Sequence, residues 1–239
     1  MQFGNRGLQG SSTVVCFYSM DREITALKAQ IKNPNRISVF LDGEYAFGLA
    51  RIVAAWLRIG QILSEAEIER LKQQDTFEVA FQRALNFLSY RPRSEAEIQR
   101  KLSEQGFLPE VVDATIQRLK ENNVLGDARF ARDWVENRST FRPRSKRMLA
   151  MELRQKGVAE EEIQNALAET EDESSLAYQS ASKYAHRLAG TDWETFRKRL
   201  GAYLMRRGFS YGTIAPVLRQ VWEETHASPG DENLTHNEE

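Results

Sequence analysis

The chain has 239 residues, 41% of them apolar and 28% charged, with only six prolines, so it can bury a substantial core and is not a disordered tail protein. Lys and Arg total 33 against 34 Asp and Glu, which excludes a uniformly basic nucleic-acid binder and leaves any charge signal to local clustering. The single cysteine, Cys16, excludes an intramolecular disulfide and a multi-cysteine zinc site, fits a reducing cytoplasm, and reads as a small apolar residue.

Residues 1–21 show no periodicity, and patterned sequence begins just after Met20, which points to Met20 as the translation start. Val14-Val15-Cys16-Phe17-Tyr18 is too short for a signal-peptide core, and no apolar run approaches the roughly 18 to 20 residues that span a bilayer. The expectation is a soluble, unexported monomer without membrane contact. Over 22–76, apolar and polar residues alternate through Ile24, Ala26, Ile37, Val39 and Leu41, then again through Tyr45, Phe47 and Leu49. Asp42-Gly43 between these runs is a hairpin signal, because a type I′ turn needs positive φ at both central positions. About three antiparallel strands result, and they need a packing partner. Ala50–Ile59 and a helix over Ser64–Gln74 supply it, with Ser64 and Glu67 in capping-box spacing.

Beyond Phe77 a 51-residue period takes over. Ile98, Leu149 and Leu200 form one column; Leu102, Leu153 and Leu204 a second; Gly106, Gly157 and Gly208 a third. Val112, Ile163 and Ile214 keep the same offset, as do Ile116, Leu167 and Leu218. Apolar pairs four apart share a helix face, and the glycine between two such pairs suits the left-handed residue that ends a helix. An earlier apolar helix in each unit (Ala80, Ala84, Phe87; Phe130, Ala131, Trp134; Ala177, Ala181, Tyr184) makes the repeat a three-helix bundle. The bundles are placed at 77–123, 124–172 and 173–225, followed by an acidic, disordered tail at 226–239. The fold class is mainly α: tandem three-helix bundles forming an elongated solenoid, preceded by a small antiparallel sheet with helices. Helices pack about 8–10 Å apart, so such a row should extend roughly 60 Å or more. Pro216 is accommodated if the last helix starts near Thr213, which places it in the first turn.

Arg91-Pro92-Arg93-Ser94 recurs as Arg142-Pro143-Arg144-Ser145, again 51 residues on. Ser94 and Ser145 are good N-caps, with Glu97 completing a capping box in the first copy alone. The arginines oppose the macrodipole of the helix that follows, so they either build an anion site with free amide donors or cap the helix that precedes them. Charge is densest around the second copy, where Arg138, Arg142, Arg144, Lys146, Arg147, Arg154 and Lys156 fall within 19 residues beside Phe141. The third bundle has no such word but carries Arg197, Lys198, Arg199, Arg206 and Arg207. Residues 79–225 hold 24 Lys and Arg against 21 Asp and Glu, while 226–239 hold four acids and no Lys or Arg. Phosphate-loop, dinucleotide, HExxH and nucleophile-elbow signatures are all absent. His186, His226 and His236 are scattered, so neither cofactor, metal nor catalytic residue is expected.

RPRSEAEIQRKLSEQGF, LGDARFARDWVENRSTFRPRSKRMLAMELRQKGV and YLMRRGFSYGTIAPVL together resemble the RecX family of bacterial recombination regulators, over about 79–222. ITALKAQIKNPNRISVFLDGEYAFGLA resembles the β-strand extension of some members. The resemblance implies a non-enzymatic protein that binds RecA and lies in the groove of the RecA–DNA filament. It further implies inhibition of recombinase, ATPase and coprotease activities and restraint of recombination and the SOS response. On it, Arg91, Arg93, Arg142, Arg144, Lys146, Arg147, Lys156, Arg206 and Arg207 are carried over as candidate contacts. The alternative is a direct DNA-binding module with helix-turn-helix readers; overall neutrality favours at most weak binding to single- or double-stranded DNA.

Overall fold

The computed structural model describes residues 21–226. Cys16, the choice between Met1 and Met20, and the expected disorder of the acidic tail lie outside these residues. The chain divides into two units, one up to Ala80 and one from Phe81.

The first unit holds strands β1 (Arg22–Gln30), β2 (Asn33–Leu41), β3 (Glu44–Ala50) and β4 (Ile62–Leu63) in the antiparallel order β3-β2-β1-β4. Asp42 (φ 52°) and Gly43 (φ 91°) make the expected hairpin turn. Asp42 also ties that turn to β1, its carboxylate accepting from Arg22 Nε at 2.7 Å and the Glu23 amide at 3.0 Å. Ile24, Val39, Leu41, Leu49, Ala54 and Leu63 form the core, against which Leu57, Ile68 and Leu71 pack. Ala54 belongs to α1 (Arg51–Ala54), and Ile68 and Leu71 to α2 (Glu65–Tyr90). The Ser64/Glu67 capping box forms, with Glu67 N donating to Ser64 Oγ and Ser64 N to Glu67 Oε2. Deeper in α2, the buried Asp75 accepts from Arg36 at 2.8 Å and from the Ala50 amide, so its charge has a partner.

Two expectations change here. The fourth strand is two residues long and pairs Arg22 with Leu63 and Glu23 with Ile62, too short to show alternation in sequence. The helix expected over Ser64–Gln74 and the one expected after Phe77 are a single 26-residue helix, α2. Nothing between Gln74 and Ala80 breaks it; what changes is the surface it buries, from the sheet at Ile68 and Leu71 to a bundle at Phe81 and Ala84.

In the second unit that end of α2 joins α3 (Glu95–Glu104) and α4 (Pro109–Glu121). Two further bundles follow: α5 (Asp127–Phe141), α6 (Lys146–Gln155) and α7 (Glu160–Ala168); then α8 (Glu173–Ala185), α9 (Trp193–Arg206) and α10 (Tyr211–His226). Ile98, Leu102, Leu149, Leu153, Leu200 and Leu204 are all completely buried, each worth about 1.5–3 kcal/mol relative to an exposed side chain. Gly106, Gly157 and Gly208 have φ of 83°, 79° and 90°. After each, the amide of Phe107, Val158 or Phe209 donates back to the carbonyl of Leu102, Leu153 or Leu204. This is the bond pattern of a glycine-terminated helix, repeated three times.

Pro216 departs from its expected place. Ser210 accepts from the Thr213 amide, so α10 begins at Tyr211 and encloses the proline at its sixth residue. The Gly212 carbonyl consequently has no helical donor four residues on. No helix among the described residues is long and apolar enough to cross a membrane.

Candidate functional site

The two Arg-Pro-Arg-Ser words are joints between bundles. Ser94 caps α3 in the expected way, its Oγ accepting from the Glu97 amide at 3.2 Å. The same hydroxyl donates to the carbonyl of Lys156, 62 residues away, at 2.5 Å. Beside it the Glu95 amide donates to Asp127 at the start of α5, at 2.8 Å, and a Cβ on Gly157 would lie 2.4 Å from that of Ala96. The first turn of α3 is thus seated between the start of α5 and the end of α6.

The second word repeats the arrangement one bundle on. Ser145 caps α6 by accepting from the Met148 amide at 3.2 Å, while its own amide donates to the carbonyl of Arg207 at 3.1 Å, again 62 residues away. The Lys146 amide donates to Glu173 at the start of α8, at 3.1 Å, and a Cβ on Gly208 would lie 2.5 Å from Ser145 Oγ. The third bundle is the last and has no following bundle to seat, which accounts for the missing third word. At Gly106, in the first bundle, the Cβ direction is open.

This geometry sorts the nine candidate cations. Arg93 Nε donates to the carbonyl of Phe87 at 3.1 Å, so Arg93 caps α2; the sequence offered that role to Arg91. Arg91 instead clasps the Glu97 carboxylate, at 3.1 and 3.3 Å. Lys156 Nζ reaches the same carboxylate at 3.2 Å and lies 4.4 Å from the Trp134 ring centroid. Lys146 Nζ donates to the carbonyls of Leu167 and Thr170 at the end of α7, at 3.0 and 3.1 Å. Arg207 Nη1 donates to the Pro143 carbonyl at 3.0 Å, and Arg144 pairs with Glu152.

Glu152 is a hub that sequence reasoning missed, because its partners are dispersed over three turns of two helices. It accepts from Trp134 Nε1 at 2.9 Å and Arg138 at 3.1 Å as well as from Arg144, and its side chain is 12% exposed. Replacing Glu152 with Gln should lower stability by about 2 kcal/mol in urea unfolding, since two arginines lose their counter-charge.

Arg142, Arg147 and Arg206 are the remaining three. All are exposed, and none makes a side-chain hydrogen bond or ion pair with another described residue. The expected capping of α5 by Arg142 comes from its backbone alone, the amide donating to Arg138 at 2.9 Å. Arg142 and Arg147 flank Ser145 within three residues, and Arg206 precedes Arg207, so all three surround one hydrogen bond, from Ser145 N to Arg207 O. The exposed Phe141 and Met205 lie next to them in sequence.

The first joint differs electrically. There Glu97, the third residue of α3, neutralises Arg91 and Lys156. Burial pushes its carboxyl pKa up, but hydrogen bonds from Arg91 and Lys156 outweigh that and hold it below the usual carboxylate value. The corresponding position in α6 is Met148, and the first turn of α6 contains no acid. The amide end of the α6 dipole and the three cations therefore add up to a local positive field in a chain that is neutral overall. Such a field suits phosphate or carboxylate groups.

Family models match along the described chain: "Regulatory protein RecX N-terminal domain" at residues 22–64, then the RecX first, second and third three-helix domains at 80–119, 127–167 and 171–218. The protein named Regulatory protein RecX from Bacillus subtilis (strain 168) is 30% identical over 215 residues, covering 88% of this chain and 81% of its own. Its namesake from Lactobacillus johnsonii is 32% identical over 191 residues, covering 78% and 70%. A crystal structure of regulatory protein RecX superposes with a TM-score of 0.65 at 27% identity, covering 83% of this chain and 99% of that one. RecX from Lactobacillus salivarius, at 21% identity and a TM-score of 0.54, shares the fold over 62% of this chain and 97% of its own.

Proposed function

The chain belongs to the RecX family of regulatory proteins, and on that premise we propose that it is a non-enzymatic, monomeric, cytoplasmic regulator that binds RecA and the RecA–DNA filament. It inhibits the recombinase, ATPase and coprotease activities of the filament and so restrains recombination and the SOS response. The observation that carries this reading is the second joint, where Arg142, Arg147 and Arg206 converge with no carboxylate to neutralise them. A protein–DNA filament offers phosphates and acidic side chains within one groove, and a local basic face set in a neutral chain suits that mixture better than naked duplex.

The helix-turn-helix alternative fares worse on the same structure. The helix after each glycine turn would be the one to enter the major groove by its N-terminal end. In the first bundle that helix, α4, has Glu110 in its first turn, and in the second, α7, has Glu160, Glu161 and Glu162. Glu160 is held ionised, its pKa lowered to about 2 by hydrogen bonds from Arg154 and Gln164. These carboxylates repel phosphates.

The test is RecA-catalysed strand exchange and ATP hydrolysis on single-stranded DNA, with and without the protein, beside its binding to DNA alone. Both activities should fall at protein concentrations that leave naked DNA unbound. Unchanged RecA activity, or inhibition that follows occupancy of naked DNA, would refute the reading.

A further inference from the structure

The first unit carries an exposed apolar surface that the joints do not use. Between Ile52 and Leu63 the chain sorts its side chains sharply. Ala54 and Leu63 are buried, with Val53 and Leu57 packed on the same core. Ile52, Trp56, Ile59 and Ile62 are 61%, 88%, 66% and 63% exposed. The segment is held in this shape by its backbone. Leu57 N donates to Ala54 O, Gln61 N to Arg58 O, and Gly60 N to Ile24 O at 2.8 Å, which fixes the segment against β1. Ile52 and Trp56 are one helical turn apart and share a side. On β4 the burial of Leu63 turns Ile62 outward.

Together these four side chains expose about 500 Å², at the upper end of the largest apolar patch on an ordinary monomer. A fully exposed tryptophan with isoleucines around it is the composition of an interface anchor. Arg51 and Arg58 stand on either side of Trp56, both exposed and without a side-chain partner among the described residues.

Charge decides among the occupants. Residues 21–80 contain eight Lys and Arg against nine Asp and Glu, so the unit as a whole does not attract a polyanion. A second copy of the chain would set Arg51 and Arg58 against their equivalents in a symmetric contact, and the patch is smaller than the ~800 Å² per partner of a stable interface. An acidic protein segment with an apolar anchor fits both halves of the surface.

We propose that Ile52, Trp56, Ile59 and Ile62, bracketed by Arg51 and Arg58, form a second docking surface that takes an acidic, apolar segment of the protein component of the filament. The choice of that partner rests on the function proposed above. The apolar anchor supplies most of the affinity, and the two arginines set orientation and association rate.

The experiment uses the full chain, as wild type, Trp56→Ala and Arg51→Glu/Arg58→Glu, with circular dichroism confirming the fold. Binding is measured to RecA filaments on single-stranded DNA and to the same DNA alone. Each variant should bind filaments about 10-fold more weakly while its DNA binding stays within twofold of wild type. Equal filament affinity overturns the surface but leaves the proposed function standing, whereas wild type that fails to bind filaments overturns both. A parallel loss on DNA alone would make it a nucleic-acid surface. A last comparison starts the chain at Met20: if the Trp56 emission, taken as the difference from Trp56→Phe, then shifts to the red, residues 1–19 cover the patch and the proposal fails. Unchanged emission supports it.

Discussion

Replacing Gly157 with alanine should cost about 4 kcal/mol, and the same change at Gly106 about 1–2 kcal/mol. Both glycines have φ near 80°, so both substitutions incur the left-handed penalty of about 1–2 kcal/mol. Only at Gly157 would the new methyl meet another bundle, 2.4 Å from the Cβ of Ala96, and such overpacking adds typically 1–3 kcal/mol. Gly208 should fall between them, because its nearest neighbour is the Ser145 hydroxyl and Met148 Cβ is 3.1 Å away. Urea midpoints of the three variants measure the differences, and amide exchange at Glu95 and Lys146 reports whether the joints have opened. Equal losses at Gly106 and Gly157 would mean that the bundles are not in contact there.

That comparison separates two demands that look identical in sequence. All three glycines end a helix, and this local demand made their column legible. Two of them also admit the first turn of a helix from the preceding bundle, a demand that appears only when residues 62 apart are brought together. Ser94 and Ser145 carry the same double meaning. Their capping of α3 and α6 could be read from neighbouring residues, whereas their bonds to Lys156 and Arg207 could not. The repeat period, the helix caps and the Asp42-Gly43 hairpin were legible because each is fixed within a few residues. The continuity of α2 was not, since its apolar stripe changes partner midway, and Pro216 misled because α10 starts two residues earlier than a proline-tolerant first turn would require.

The basic residues show the same division. Their clustering marked the right region, but charge counting could not distinguish a cation held by Glu97, Glu152 or a helix-end carbonyl from one facing solvent. Glu97 and Met148 occupy equivalent positions in the two joints, and this one difference leaves the second joint positive. Six of the nine candidates are engaged within the protein, so changing them would disturb the architecture before it tested any contact.

The measurement that bears most directly on the proposed function is therefore the triple reversal Arg142→Glu/Arg147→Glu/Arg206→Glu, in place of a set that includes Arg144. Each reversed contact should forfeit roughly 0.5–1 kcal/mol or more, so three together should raise the half-inhibitory concentration in RecA-catalysed strand exchange at least ~10-fold. The loss should be smaller at high salt, where the lost attraction is already screened. Thermal unfolding should stay within a degree or two of wild type, because these side chains hold nothing else in place. A triple variant that folds normally and inhibits strand exchange as wild type does would contradict the assignment of the second joint as the face that meets the filament.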